Sequence, residues 1–199
     1  LEVHFLMFGW KNPESALRHR ELREALRYAF DFKELERLAG GFAHPAGQFV
    51  SRGILGYNPA LDPVPYDIEK ARGLLRGLPE NLSLTVDLPE GVEAFGAYIE
   101  QQLKTIGIQP AITFWAAEKY QDHIFSGRSE VFFFGWRSEL GDAGDFFTNL
   151  VREHYADNGV GELIAAMERN VFESLRAEQL QKLMATVVEE EIIGVPLFE

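Results

Sequence analysis

Residues 82–114 constrain the fold more than any other stretch, because two periodicities follow one another there. Leu82, Leu84, Val86 and Leu88 alternate with Ser83, Thr85 and Asp87, the spacing of a strand with one buried face. Phe95, Tyr98, Ile99, Leu103 and Ile106 then recur at helical intervals, and Gly107 stands where the first residue beyond a helix belongs. Ile108, Ile112 and Phe114 return to strand spacing. Strand, helix and strand in this order predict a parallel pair joined by a right-handed crossover, the unit of an α/β fold.

The flanking sequence extends that picture. Val131-Phe132-Phe133-Phe134-Gly135-Trp136 is apolar on both alternations, as a central strand covered on both faces is. Val3–Phe8 reads as a buried strand ended by Gly9. Leu17, Leu22, Ala25, Leu26, Ala29 and Phe30 predict a helix over 14–30. Asp31 caps a second helix over 32–39, which Gly40-Gly41 stops. Residues 42–66 form a long loop punctuated by Pro45, Pro59, Pro63 and Pro65. Its Phe42, Phe49, Ile54, Leu55 and Tyr57 predict that it packs over the surface. Further helices are expected over 68–78 with Asp67 as cap, over 118–125, and near 161–170 and 176–191, before a strand over 193–198. No internal repeat, low-complexity tract or domain boundary interrupts the 199 residues.

Charge and composition exclude several function classes. A formal net charge of −12 opposes binding to nucleic acid or to an anionic membrane face. With no cysteine there is neither a thiol nucleophile nor a thiolate metal site. No apolar run approaches the roughly 20 residues that span a bilayer. There is no glycine-rich phosphate loop, no G-x-S-x-G and no H-E-x-x-H, so neither a cofactor nor a metal site is expected.

Few residues are placed to do chemistry. Of the five histidines, His19 and His123 lie in polar helical stretches and read as solvated, and His4 belongs to the first strand. His154 has no metal-ligand neighbour, and His44, in the Pro/Gly loop, is either a binding residue or a plain loop residue. Asp142 and Asp145 read best as caps of a helix over 146–151. Glu189-Glu190-Glu191 reads as a solvated helix end. Trp136, Arg137 and Glu139 follow a central strand, where α/β sheets bind ligands. Trp offers a flat apolar wall, Arg a carboxylate clamp and Glu a cation partner. The alternative is a core Trp136 beside a surface pair of Arg137 with Glu139.

Six segments in order resemble a known family. Arg20-Glu21-Leu22-Arg23-Glu24-Ala25-Leu26-Arg27-Tyr28-Ala29-Phe30-Asp31 is similar to its R-x-R-x-A-L-x-x-A-I-D helix. Gly41-Phe42-Ala43-His44-Pro45-Ala46 through Gly56-Tyr57-Asn58-Pro59 matches its Gly/Pro loop, and Pro65-Tyr66-Asp67-Ile68-Glu69-Lys70-Ala71-Arg72-Gly73-Leu74-Leu75 is close to P-Y-D-P-E-K-A-K-x-L-L. Gln102-Leu103-Lys104-Thr105-Ile106-Gly107-Ile108, Phe134-Gly135-Trp136 and Val195-Pro196-Leu197-Phe198 complete the series. Across nearly its whole length the chain resembles the second lobe of family 5 extracellular solute-binding proteins, the peptide, nickel and oligosaccharide receptors of ABC importers.

That resemblance implies an α/β, periplasmic-binding-protein-like (type II) lobe over 1–199, with a mixed sheet flanked by helices. It implies a non-enzymatic role: capture of a small solute, peptide-like, oligosaccharide or metal complex, against a first lobe absent from this sequence, for delivery to ABC permease subunits. The expected place is the periplasm or outer face of the cytoplasmic membrane, lipid-anchored in the full-length protein. The opening at Leu1, without Met, fits a piece of a longer chain. The implied ligand-binding residues are Trp136, Arg137 and Glu139, with Trp115 as a further aromatic wall and His44 in the loop. Glu139 stands where peptide-binding relatives carry an Asp that pairs with the α-amino group. Gly9 replaces a usual Asn, and the D-P-D-N motif reads Asp142-Ala143-Gly144-Asp145. Two other functions are open: a solute-sensing domain of a regulator, and a hydrolase using Glu139 and Asp142 as an acid/base pair.

Overall fold

The computed structural model describes residues 1–9, 14–152, 159–170 and 172–199. His154 lies outside the described residues. The chain forms strand β1 (Val3–Phe8), a 3₁₀ turn (Ala16–Arg18), helices α1 (Arg20–Arg27), α2 (Phe32–Leu38) and α3 (Ile68–Leu75), strand β2 (Ser83–Pro89) and helix α4 (Glu93–Thr105). It continues through β3 (Gln109–Trp115), α5 (Ala117–Phe125), β4 (Val131–Trp136), the one-turn α6 (Gly144–Phe146), α7 (Val160–Glu168), α8 (Glu173–Ala185) and β5 (Gly194–Phe198). Helices α6 and α8 each run on into a wide π turn, Phe147–Val151 and Thr186–Glu190.

The five strands make one mixed sheet in the order β3-β2-β4-β1-β5. Strand β2 pairs parallel with both β3 and β4, whereas β1 pairs antiparallel with both β4 and β5. The expected parallel pair is therefore present, with β4 in the centre. Side chains alternate across β1 and β4: Val3, Phe5, Met7 and Phe132 enter one core, while Leu6, Phe8, Val131 and Phe133 enter the other. Helices α1 and α4 cover the second face; α5 to α8 and part of the Pro/Gly loop cover the first. That explains why 131–134 reads apolar on both alternations.

Several boundaries differ from expectation, each for a local reason. The helix over 14–30 is broken at His19, which is extended (φ −72°, ψ 116°). The Arg23 guanidinium draws the break together, donating to the Leu17 carbonyl at 2.7 Å, the Arg18 carbonyl at 3.2 Å and the Glu191 carbonyl at 2.9 Å. Helix α3 ends at Leu75, ahead of the expected 78, because Arg76 is extended and Gly77 takes φ 98°. Both predicted caps are present: Asp31 accepts from the Lys33 N–H, and Asp67 from the Lys70 N–H at 2.9 Å. In the Pro/Gly loop Phe49, Val50 and Leu61 are buried, but Phe42 is 90% exposed and does not join the packing.

His123 also departs from the solvated reading. Its ring stacks on Trp115 at 3.9 Å between centroids, and Nε2 lies 3.1 Å from the buried Asp87 carboxylate. The helix period placed His123 on α5 but could not show that this face meets the end of β3. Glu189 and Glu190 are exposed as expected, yet their carbonyls accept from Arg20.

Candidate functional site

The register brings the carboxyl ends of four strands to one edge. Trp136 pairs with Val3, Pro89 with Trp115, and Phe198 with His4. The ends of β2, β3, β4 and β5 therefore lie beside the start of β1. Adjacent parallel strands β2 and β4 send the chain to opposite faces, into α4 and α6 respectively. A divergence of this kind opens a crevice at the carboxyl ends, where α/β sheets bind ligands.

A hollow of about 410 Å³ lies there, lined by Glu2, Phe134, Gly135, Trp136, Arg137, Glu139, Leu140, Asp145 and Asn149. Three of the expected residues, Trp136, Arg137 and Glu139, thus share one wall. Trp136 is partly buried, its ring edge-on to Phe146 at 5.9 Å between centroids. Arg137 and Glu139 are exposed, and no ion pair joins them among the described residues, so the surface-pair alternative is not what forms.

Asp145 organises this wall. One carboxylate oxygen accepts from the Phe146 N–H at 2.7 Å and the Trp136 Nε1–H at 3.4 Å. The other accepts from the Ser138 hydroxyl at 2.9 Å and the Glu139 N–H at 3.3 Å. Neither aspartate takes the expected N-cap position: Ala143 stands there without a side-chain bond, Asp145 lies within the helix, and Asp142 accepts from the Gly144 N–H at 2.6 Å. Asp142 is also held by Arg176 (Nε to Oδ2 2.6 Å, Nη2 to Oδ1 3.2 Å) and does not line the hollow. It is therefore unavailable as the second member of an acid/base pair with Glu139.

Trp115, at the end of β3 on the same edge, and His44 do not line this hollow. The Trp115 indole N–H donates to Asp87 at 2.7 Å, and the Ser129 hydroxyl donates to the same carboxylate. One ring face is covered by His123. His44 is exposed on a second hollow of about 450 Å³, lined also by Leu1, Arg52, Tyr57, Asp62 and Glu199. Leu1 borders this second hollow and Glu2 the first, so the two flank the start of β1.

Glu2 and Asn149 reach the hollow without a sequence signal for it. Glu2 does so because β1 runs antiparallel beside β4 and because Gly135 leaves room. A Cβ at Gly135 would collide with the Glu2 carboxylate and stand 3.1 Å from the His4 ring. A glycine inside an otherwise bulky strand was the one available hint. Among the described residues no group of three or more His, Asp or Glu is placed to hold a metal ion. No helix among them is long and apolar enough to cross a membrane.

Residues 1–158 match the bacterial extracellular solute-binding proteins, family 5 (middle region). The chain belongs to that family. Among curated relatives, the glutathione-binding protein GsiB of Salmonella choleraesuis (strain SC-B67) is 33% identical over 134 residues, covering 62% of this chain and 26% of the relative. Solved structures at lower identity share its fold. DppA of Helicobacter pylori, an ABC transporter-associated periplasmic binding protein solved with the peptide STSA, superposes with TM-score 0.86 at 23% identity, over 100% of this chain and 41% of that one. NikA of Brucella suis, solved with Fe(III)-EDTA, gives TM-score 0.86 at 16% identity, over 100% and 45%. The chain therefore spans about a quarter of that curated relative (26%) and under half of these structures.

Proposed function

We propose that this chain is one α/β lobe of the substrate-binding component of an ABC importer, and that its solute is peptide-like. The observation that carries the reading is the half-open hollow at the carboxyl edge of the sheet. Trp136 and Phe134 give it aromatic lining, and Arg137 and Glu139 give it charges of both signs that no ion pair engages among the described residues. That pairing suits a small zwitterion: a carboxylate on the guanidinium and an ammonium on the Glu. A surface so exposed holds a solute weakly, because half of a buried ligand's contacts must come from elsewhere. The coverage of relatives supports a second lobe closing over it, with closure shifting the population toward the form that the permease subunits recognise. The neighbourhood of GsiB and of DppA with its bound peptide favours a peptide-like solute over a sugar. The family description fits a place outside the cytoplasmic membrane, and a lipid anchor on the longer protein belongs to the same reading.

Titration calorimetry with a tripeptide library, on the 199-residue chain and on the longer protein, tests this. Binding is expected only with the longer protein. Equal, tight binding by both would overturn the two-lobe reading, and turnover of any peptide or glycoside would overturn the non-enzymatic one.

A further inference from the structure

We propose that a cavity beneath the Pro/Gly loop binds a small monocarboxylate through Arg27. The cavity measures about 40 Å³ and lies where α1 and α2 meet β5 and the loop. It shares no residue with the hollow beside Trp136 and is independent of the solute reading. Close backbone approach builds its walls. The loop pairs with β5, Ala46 donating its N–H to the Leu197 carbonyl at 3.3 Å. Segment 61–63 then crosses Gly47, where a Cβ would collide with the Leu61 carbonyl. Leu35, Pro45, Pro63 and Val195 line the space, and of the described side chains that do so only Arg27 is polar.

Arg27 differs from its neighbours in having no partner. Arg20, Arg23 and Arg27 fall on one stripe of α1. Arg20 donates to the Glu189 carbonyl at 2.8 Å, and Arg23 to those of Leu17, Arg18 and Glu191. Arg27 makes neither a hydrogen bond nor an ion pair with any described residue. Glu24 and Glu189 attract it from a distance and Arg20 repels it, but burial outweighs them and lowers its pKa. The guanidinium stays charged all the same. A cation drawn partly out of water without a bonded counter-charge is destabilised, and an anion beside it relieves that cost.

The walls select the kind of anion. A guanidinium fork matches the two oxygens of a carboxylate. The proline, leucine and valine side chains accept a methyl or ethyl group, and they offer a phosphate or sulfate no second cation. With about 40 Å³ against the hollow's about 410 Å³, the space excludes a peptide. Acetate and propionate meet these conditions. Bound there, either acid ties α1 to the loop and to β5. A ligand so small, on one charged fork, is expected to have a Kd of about 1 mM.

Thermal melts of the 199-residue chain at constant ionic strength, with propionate, propionamide or chloride, provide the test. Propionate at about 10 mM is expected to raise Tm by about 3 °C. Propionamide, of the same size without the charge, is expected to leave Tm unchanged, and chloride to shift it less than propionate does. Arg27→Met keeps the apolar stem and is expected to abolish the propionate shift. Arg137→Ala, in the hollow, is expected to retain it. Circular dichroism shows that each variant is folded. No propionate shift in the folded parent chain, an equal shift with propionamide or chloride, or a shift that survives in folded Arg27→Met would overturn the inference. Loss of the shift in folded Arg137→Ala would place the carboxylate in the hollow and overturn it as well.

Discussion

Arg23 shows how one side chain can hold three segments. It is buried, and its guanidinium satisfies carbonyls at the end of the 3₁₀ turn and at Glu191 beyond the last π turn. Arg23→Ala leaves those carbonyls without a donor and is expected to cost about 3 kcal/mol in a denaturant-unfolding midpoint. His4 makes a pH-dependent contribution. Burial lowers its folded pKa below 6.5, and Glu2 opposes this only in part. The folded state therefore binds fewer protons than the unfolded chain between the two values. Stability contributed by neutral His4 is present above pH 6.5 and is lost as pH falls through 6.5 toward the folded pKa. Thermal melts from pH 7.5 to 5.5 are expected to show that decline, and His4→Phe, which preserves the stacking, is expected to flatten it.

At the scale of elements, close backbone approach sets the tolerances. Gly194 opens β5 against β1, and a Cβ there would collide with the Leu6 carbonyl, which cannot move without shifting the strand. Gly194→Ala is expected to destabilise by about 2 kcal/mol in equilibrium unfolding. Between β2 and β4 the registered pairing covers only Val86 with Val131 and Asp87 with Phe132. Tyr120 of α5 inserts beyond it, its hydroxyl 2.5 Å from the Phe133 carbonyl and 3.0 Å from that of Asp87. Desolvation raises its pKa, so the group remains a donor throughout the physiological range. Tyr120→Phe is expected to cost about 1 to 2 kcal/mol by the same measurement.

At the scale of the molecule, the edge formed by four carboxyl strand ends is where binding is expected. Trp136→Ala in the longer protein is expected to weaken solute affinity by at least ~tenfold, about 1.4 kcal/mol, in calorimetry. The same substitution at Trp115, whose ring and N–H are already engaged by His123 and Asp87, is expected to act mainly on stability.

Local chemistry alone determined much of this. The alternation at 82–88, the helical spacing at 95–106 and the doubly apolar run at 131–136 carried the α/β class and the central position of β4, because period and two-sided burial are properties of neighbouring residues. The Asp31 and Asp67 caps were legible for the same reason. For Trp136, Arg137 and Glu139 local chemistry left two readings open, a strand-end group or a core Trp beside a surface pair, and the structure lines one hollow with all three. What needed the tertiary structure was every relation between distant segments. His123 found Asp87 and Trp115 across 36 and 8 positions, and Asp142 found Arg176 across 34. Glu2 entered the hollow only because β1 runs antiparallel beside β4 and Gly135 lies under it. Strand order and orientation are decided by which faces bury together, and that free energy is a sum over contacts that no local period encodes.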